Sequence, residues 1–75
     1  MQLQNRLREC RNQNGLTQEA LAQAVGVTRQ TIIAVEQGKH EPSVRLALEL
    51  ARALGDSLEH LFWLEEEHTE KGEDR

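Results

Sequence analysis

The chain has 75 residues and a single cysteine, so no disulfide forms within it. No apolar run approaches the length of a membrane span, and neither end reads as a signal peptide. A reducing cytoplasm is the simplest expected setting. The sequence holds no Ser–His–Asp set, no paired carboxylates placed for acid–base work and no phosphate-cradling glycine loop. His60 and His68 have no partners at metal-ligand spacing, and His40 reads as a solvated loop residue. Enzymes are therefore the weakest class, and neither a metal nor a cofactor is expected. Internal repeats are absent, and the one biased segment is an acidic end. A chain this short makes one domain at most, with a modest core and no room for a separate ligand-binding domain.

The formal net charge is −4, a poor match at first sight to a polyanionic partner. Its distribution weakens that objection. Residues 65–75, EEEHTEKGEDR, carry six acids and two bases, and so account for the whole imbalance. The preceding 64 residues hold seven bases and seven acids. Binding an anion then requires local clustering of positive charge. Residues 65–75 read as an acidic, mobile tail beyond a domain at 1–64.

What is present is a sequence of helix starts and stops. Met1–Gln4 alternates apolar and polar residues, a weak strand signal. A helix is predicted from about Asn5 to Asn14, with Leu7 and Cys10 on one face and Gly15 ending it. Cys10 reads as a small apolar filler, with a redox sensor as the second reading. Thr17 is a natural cap for TQEALAQA, whose Ala20, Leu21 and Ala24 are expected to face a core. Gly26 suits a left-handed turn, and Val27 follows as a plug. Thr28 caps a third helix with Ile32 and Val35 inward, closed by Gly38. Lys39–Pro42 is a loop, and Ser43 caps a fourth helix with Ala47, Leu50, Ala51 and Leu54 on one face. Val44, Leu46 and Leu48 widen that face. Gly55 stops it, and Asp56 or Ser57 opens a short fifth helix, Leu58–Phe62. Leu61-Phe62-Trp63-Leu64 is the most apolar run near the end, and pairing with Met1–Gln4 in a small antiparallel sheet is expected.

The segment Leu16–Gly38, LTQEALAQAVGVTRQTIIAVEQG, carries the functional signal. Two short helices joined around Gly26 let one brace against a nucleic-acid backbone while the other enters a groove. With the Glu36-Gln37-Gly38-Lys39 turn, Pro42-Ser43, ALELARALG and DSLEHLF, this pattern resembles the Cro/C1-type, phage-repressor helix-turn-helix family, the xenobiotic-response-element class. The resemblance runs from Arg11 to Phe62 and is nearest to the small cytolysin-type repressors. It implies a mainly α, lambda-repressor-like domain of five helices, with a two-stranded antiparallel sheet from the two ends and the helix-turn-helix at 17–37. It also implies a homodimer on double-stranded DNA, with no membrane partner.

Residue by residue, the resemblance places Gln18 on a DNA phosphate at the start of a helix, against a plain exposed helix-starting role. Arg29 and Gln30 face outward on the first turn of the recognition helix. Arg29 reads guanine or holds a phosphate, and Gln30 reads adenine. Thr28 and Thr31 add phosphate or thymine-methyl contacts, or Thr28 acts only as a cap. Ile33 and Ala34 are apolar where the family is commonly polar. Ala34 then touches a thymine methyl, Ile33 either does the same or rests against a helix or a protein partner, and DNA shape takes a larger part in specificity. Gln37, Lys39, Ser43 and the backbone N–H groups around them meet phosphates in the family pose. Arg11 and Glu36 match a structural ion pair. Leu58, Leu61 and Trp63 read as a dimer seam, with intrachain core as the alternative. The leading function is a repressor acting as a homodimer on a near-palindromic operator. The second is an antitoxin-like or accessory protein-interaction module with secondary DNA binding.

Overall fold

The computed structural model describes residues 1–66. The element order is β1 (Gln2–Asn5), α1 (Leu7–Gln13), α2 (Gln18–Val25), α3 (Arg29–Glu36), α4 (Val44–Leu54), α5 (Leu58–Leu61) and β2 (Phe62–Glu65). β1 and β2 form a two-stranded antiparallel sheet in which Gln2 faces Glu65 and Asn5 faces Phe62. The expected architecture of five helices closed by a sheet is the one observed. The sheet takes in Glu65, one residue beyond the boundary expected at 64. The rest of the acidic tail, residues 67–75, lies outside the described residues.

Four helices start where a side-chain oxygen satisfies an otherwise orphaned amide. Thr17, Thr28, Ser43 and Ser57 each accept from the backbone N–H three residues on. α1 differs. It starts at Leu7 rather than Asn5, because Asn5 closes β1 and its Oδ1 accepts from the Leu7 N–H at 3.0 Å. The Asn5 Nδ2 donates to the Val35 carbonyl at 3.0 Å, tying the sheet to the end of α3. Gly26 ends α2 with φ 77° and ψ 31°, a left-handed conformation that costs an L side chain about 1–2 kcal/mol. The Val27 N–H then reaches back to the Ala22 carbonyl at 3.0 Å, and the chain turns tightly into α3.

One core gathers every helix. Leu7 and Cys10 come from α1, Leu21 and Ala22 from α2, Ile32 and Val35 from α3, Leu46, Leu50, Ala51 and Leu54 from α4, Leu61 from α5 and Phe62 from β2. Leu3, Leu16, Val25, Val27, Ala47 and Leu58 pack around it. Two expectations about side chains need correction. Ala24 is exposed and Ala22 is buried in its place, because the inward stripe of α2 runs Gln18–Leu21–Ala22–Val25 at helical spacing. α5 ends at Leu61, and Phe62 starts the strand. Leu61 is 0 % exposed, so it is core and not part of any surface seam. The sheet alternates as strands must. Phe62 is buried, while Trp63 lies half-buried on the other face beneath the Arg6 guanidinium, 4.4 Å from its ring centre.

Candidate nucleic-acid interface

The first turn of α3 holds Arg29, Gln30 and Thr31. Because Ile32 and Val35 point into the core, helical geometry turns Arg29 and Gln30 outward, and both are exposed. Among the described residues neither Arg29 nor Lys39 makes a salt bridge. The Thr28 hydroxyl accepts from the Thr31 N–H at 3.2 Å and lies 3.1 Å from the Thr31 hydroxyl. These bonds fix the start of the helix and leave one hydroxyl proton shared between the two side chains.

Thr31, Ser43 and Arg45 line one surface depression with Gly26, Val27 and His40. The start of the recognition helix and the start of α4 therefore open onto a common concave surface. Ser43 Oγ accepts from the Leu46 N–H at 3.0 Å, which leaves its hydroxyl hydrogen to donate elsewhere. Arg45 was not singled out in the sequence, although a base in the first turn of a capped helix beside Ser43 was the available signal. It is exposed and paired with Glu49 at 3.2 Å.

On the other flank, Gln37 and Lys39 are exposed and line a second depression with Arg6, Arg8, Glu36 and Trp63. The N–H groups of Gln37, Gly38 and Lys39 are spent on the Ile33, Val35 and Ala34 carbonyls at 2.9–3.0 Å, closing the end of α3. At Gln37 and Lys39 themselves, the side chains are what remain for an anion. Ala34 and Ile33 are half-buried, so the middle of α3 offers little apolar surface.

Beneath this surface sits the Arg11–Glu36 pair. Arg11 Nε donates to Glu36 Oε2 at 2.6 Å, and Arg11 Nη1 donates to the Leu16 carbonyl at 2.9 Å. Their side chains are 10 % and 2 % exposed. Gln18 Nε2 donates to Glu36 Oε1 at 3.1 Å, so the first residue of α2 joins the same carboxylate. One carboxylate thus links α1, α2 and the end of α3, and fixes the angle at which the recognition helix leaves the body.

The structure also assembles a group that the sequence reading excluded. Cys10 Sγ donates to Asp56 Oδ2 at 3.4 Å, and that oxygen lies 2.8 Å from His60 Nδ1. The three ligating atoms all fall within 4.8 Å of one another. The spacing along the chain gave His60 no ligand partner, and the fold sets Cys10 and Asp56 beside it. Asp56 precedes the Ser57 cap of α5 and His60 lies inside the helix four positions on, while Cys10 is brought to them only by folding.

Comparison with known proteins agrees with this geometry. A family profile described as Helix-turn-helix matches residues 7–61. An HTH-type transcriptional regulator of Bacillus subtilis, YgzD, is 46% identical over 66 residues, covering 88% of this chain and 100% of that one. Another from Methanothermobacter thermautotrophicus is 56% identical over 62 residues, covering 81% of this chain and 90% of that one. The crystal structure of the restriction-modification controller protein C.AhdI from Aeromonas hydrophila superposes with a TM-score of 0.70 at 40% identity, over 73% of this chain and 80% of that one. The clp gene regulator ClgR of Corynebacterium glutamicum gives 0.67 at 35% identity, over 69% of this chain and 55% of that one. The family binds double-stranded DNA and is not enzymatic. With its capped recognition helix, its Gly26 turn and the match over residues 7–61, the chain belongs to the Cro/C1-type helix-turn-helix family of DNA-binding transcriptional regulators.

Proposed function

We propose that the chain is a repressor that acts as a homodimer on a near-palindromic operator and blocks a promoter by occupying it. The observation that carries this reading is the free, exposed Arg29-Gln30 pair on the first turn of a helix capped by Thr28. Arg29 is assigned to guanine O6 and N7 and Gln30 to adenine N6 and N7, each through two hydrogen bonds. Thr31 and Ala34 lie beside them for thymine methyl contact. Gln18, Gln37, Lys39 and Ser43 are assigned to the phosphates on either side, and Thr28 to the cap and a phosphate. Arg45 joins this set because it shares the Thr31–Ser43 depression. The protein-interaction alternative loses one support, since Ile33 is half-buried instead of offered to a partner. No helix among the described residues is long and apolar enough to cross a membrane, and the proposed place of action is the cytoplasm, on DNA.

In a dimer the two recognition helices would lie about 34 Å apart, in successive major grooves. Exposed apolar side chains support a second copy. Val44 is 74 % and Leu48 51 % exposed, one turn apart on α4, and Leu64 is exposed at the end of the sheet. Leu58 and Trp63 are each half-buried and stay in the proposed seam, while Leu61 does not. Sedimentation equilibrium is expected to give twice the chain mass of 8.6 kDa. A mass of one chain at every concentration would withdraw the dimer.

The DNA experiment is a titration against the protein's own promoter region and unrelated DNA at two salt concentrations. Arg29→Ala is expected to weaken specific binding by roughly 1–3 kcal/mol and relax preference at one base pair. Lys39→Ala is expected to weaken binding to all sequences alike and lower the salt slope by about one unit. Parental binding by both variants would overturn the groove assignment.

A further inference from the structure

We propose that Cys10, Asp56 and His60 form a binding site for a borderline-soft divalent cation of the zinc class, separate from the DNA-facing surface. The three residues offer one sulfur, one carboxylate oxygen and one imidazole nitrogen, which is a donor set suited to Zn2+ or Co2+ and unsuited to Mg2+ or Ca2+. Tetrahedral zinc with these ligand types places neighbouring donor atoms about 3.3–3.6 Å apart. The sulfur–oxygen separation is already 3.4 Å and the oxygen–nitrogen separation 2.8 Å. The sulfur and the imidazole nitrogen lie within 4.8 Å of each other, so closing on a cation asks chiefly that the exposed His60 ring turn toward the thiol.

The framework around the donors is built before any cation arrives. Asp56 is fixed twice. Its N–H donates to the Ala51 carbonyl at 3.0 Å as α4 ends, and its Oδ1 accepts from the Ser57 N–H at 2.8 Å. Its Oδ2 is left to face the sulfur and the imidazole. His60 sits one turn along, its N–H held by the Ser57 hydroxyl and its carbonyl accepting from Arg6 Nε at 2.7 Å. Cys10 Sγ comes from the inner face of α1 and is 2 % exposed, whereas the His60 side chain is 49 % exposed. A cation enters from the His60 side and meets the thiol at the floor. Three protein donors leave a fourth position for water.

Charge around the site is compatible. Arg6 is a nearby cation acting on Cys10 and Glu9 a nearby anion. Arg6 is engaged with the Trp63 ring and the His60 carbonyl. Burial, then the hydrogen bond to Asp56, pushes the Cys10 thiol above its ordinary value. The hydrogen bond from His60, then that from the Ser57 N–H, holds the Asp56 carboxyl below its ordinary value. On cation uptake the Cys10 sulfur gives its proton to solvent and the S–M bond replaces S–H, while Asp56 enters already ionised. No oxidant or reductant is involved. The bound ion would clip α1 to the turn between α4 and α5.

The test uses the full chain, stripped of metal by a chelator and kept reduced, and titrated with Co2+ as the probe. One Co2+ per chain is expected, with a thiolate-to-cobalt charge-transfer band in the near ultraviolet and visible bands of a tetrahedral centre. Zn2+ should bleach both. Cys10→Ser is expected to abolish the charge-transfer band. His60→Gln changes an exposed side chain, and is expected to leave the chelator-treated melting curve in place while weakening Co2+ by roughly 10–100-fold or more, since even the loss of outer-shell groups reaches that range. No saturable Co2+ binding, binding without the thiolate band, or unchanged affinity in His60→Gln would each overturn the site. These readouts involve no DNA, so they stand apart from the operator experiment.

Discussion

Glu36→Ala is expected to destabilise the domain by about 3–5 kcal/mol, the cost of leaving a buried charge without its partner. Glu36 is the shared acceptor for Arg11 and Gln18, and its side chain is 2 % exposed. Removing it strands the Arg11 guanidinium, which is 10 % exposed and keeps only the Leu16 carbonyl. A domain of this length holds on the order of 4–11 kcal/mol in all, so this one change takes a large part of it. Urea unfolding is the measurement, with a lower midpoint and an unchanged slope. The double variant Arg11→Met, Glu36→Leu is the informative partner, because apolar replacement of both charges removes the stranded guanidinium and is expected to recover most of the loss. If the double variant is as unstable as Glu36→Ala alone, the buried charge is not the cause.

Leu50→Ala is expected to cost about 2–5 kcal/mol, from lost burial and the cavity left behind. Leu50 is fully buried at the centre of α4, the longest helix, between Leu46 and Leu54 on the same face. Alanine favours helix slightly more than leucine does, so any loss belongs to packing and not to propensity. Arg52→Ala on the exposed side of the same helix serves as the control and should change stability by no more than about 0.5 kcal/mol. Similar losses in the two variants would mean that α4 packs on a different face.

Local chemistry made the helix boundaries legible. A threonine or serine whose oxygen meets the amide three residues on needs no tertiary information, and Thr17, Thr28 and Ser43 were read from the chain for that reason. The turn at Gly26 was legible in the same way. What the sequence left open depends on where a helix rotates once it meets its neighbours. α2 turns so that Gln18 reaches Glu36, and this rotation buries Ala22 and exposes Ala24. Leu61 was taken for surface because it opens an apolar run. One helical residue before a strand, it points inward instead, and its carbonyl accepts from the Arg6 N–H at 3.0 Å. The amides of Gln37, Gly38 and Lys39 are taken up by the end of α3, a competition that residue types alone do not display. Cys10, 46 positions before Asp56, was out of reach of any reading by spacing.

The sheet joins the earliest element of the chain to the latest among the described residues, with Leu3 facing Leu64. A ribosome releases β1 well before β2. The helix-turn-helix has all its parts as soon as residue 38 emerges, whereas β1 must wait, with its edge unpaired, until Phe62–Glu65 follow. Nascent chains halted between those two points would carry a complete reading head on a body that has not yet been locked.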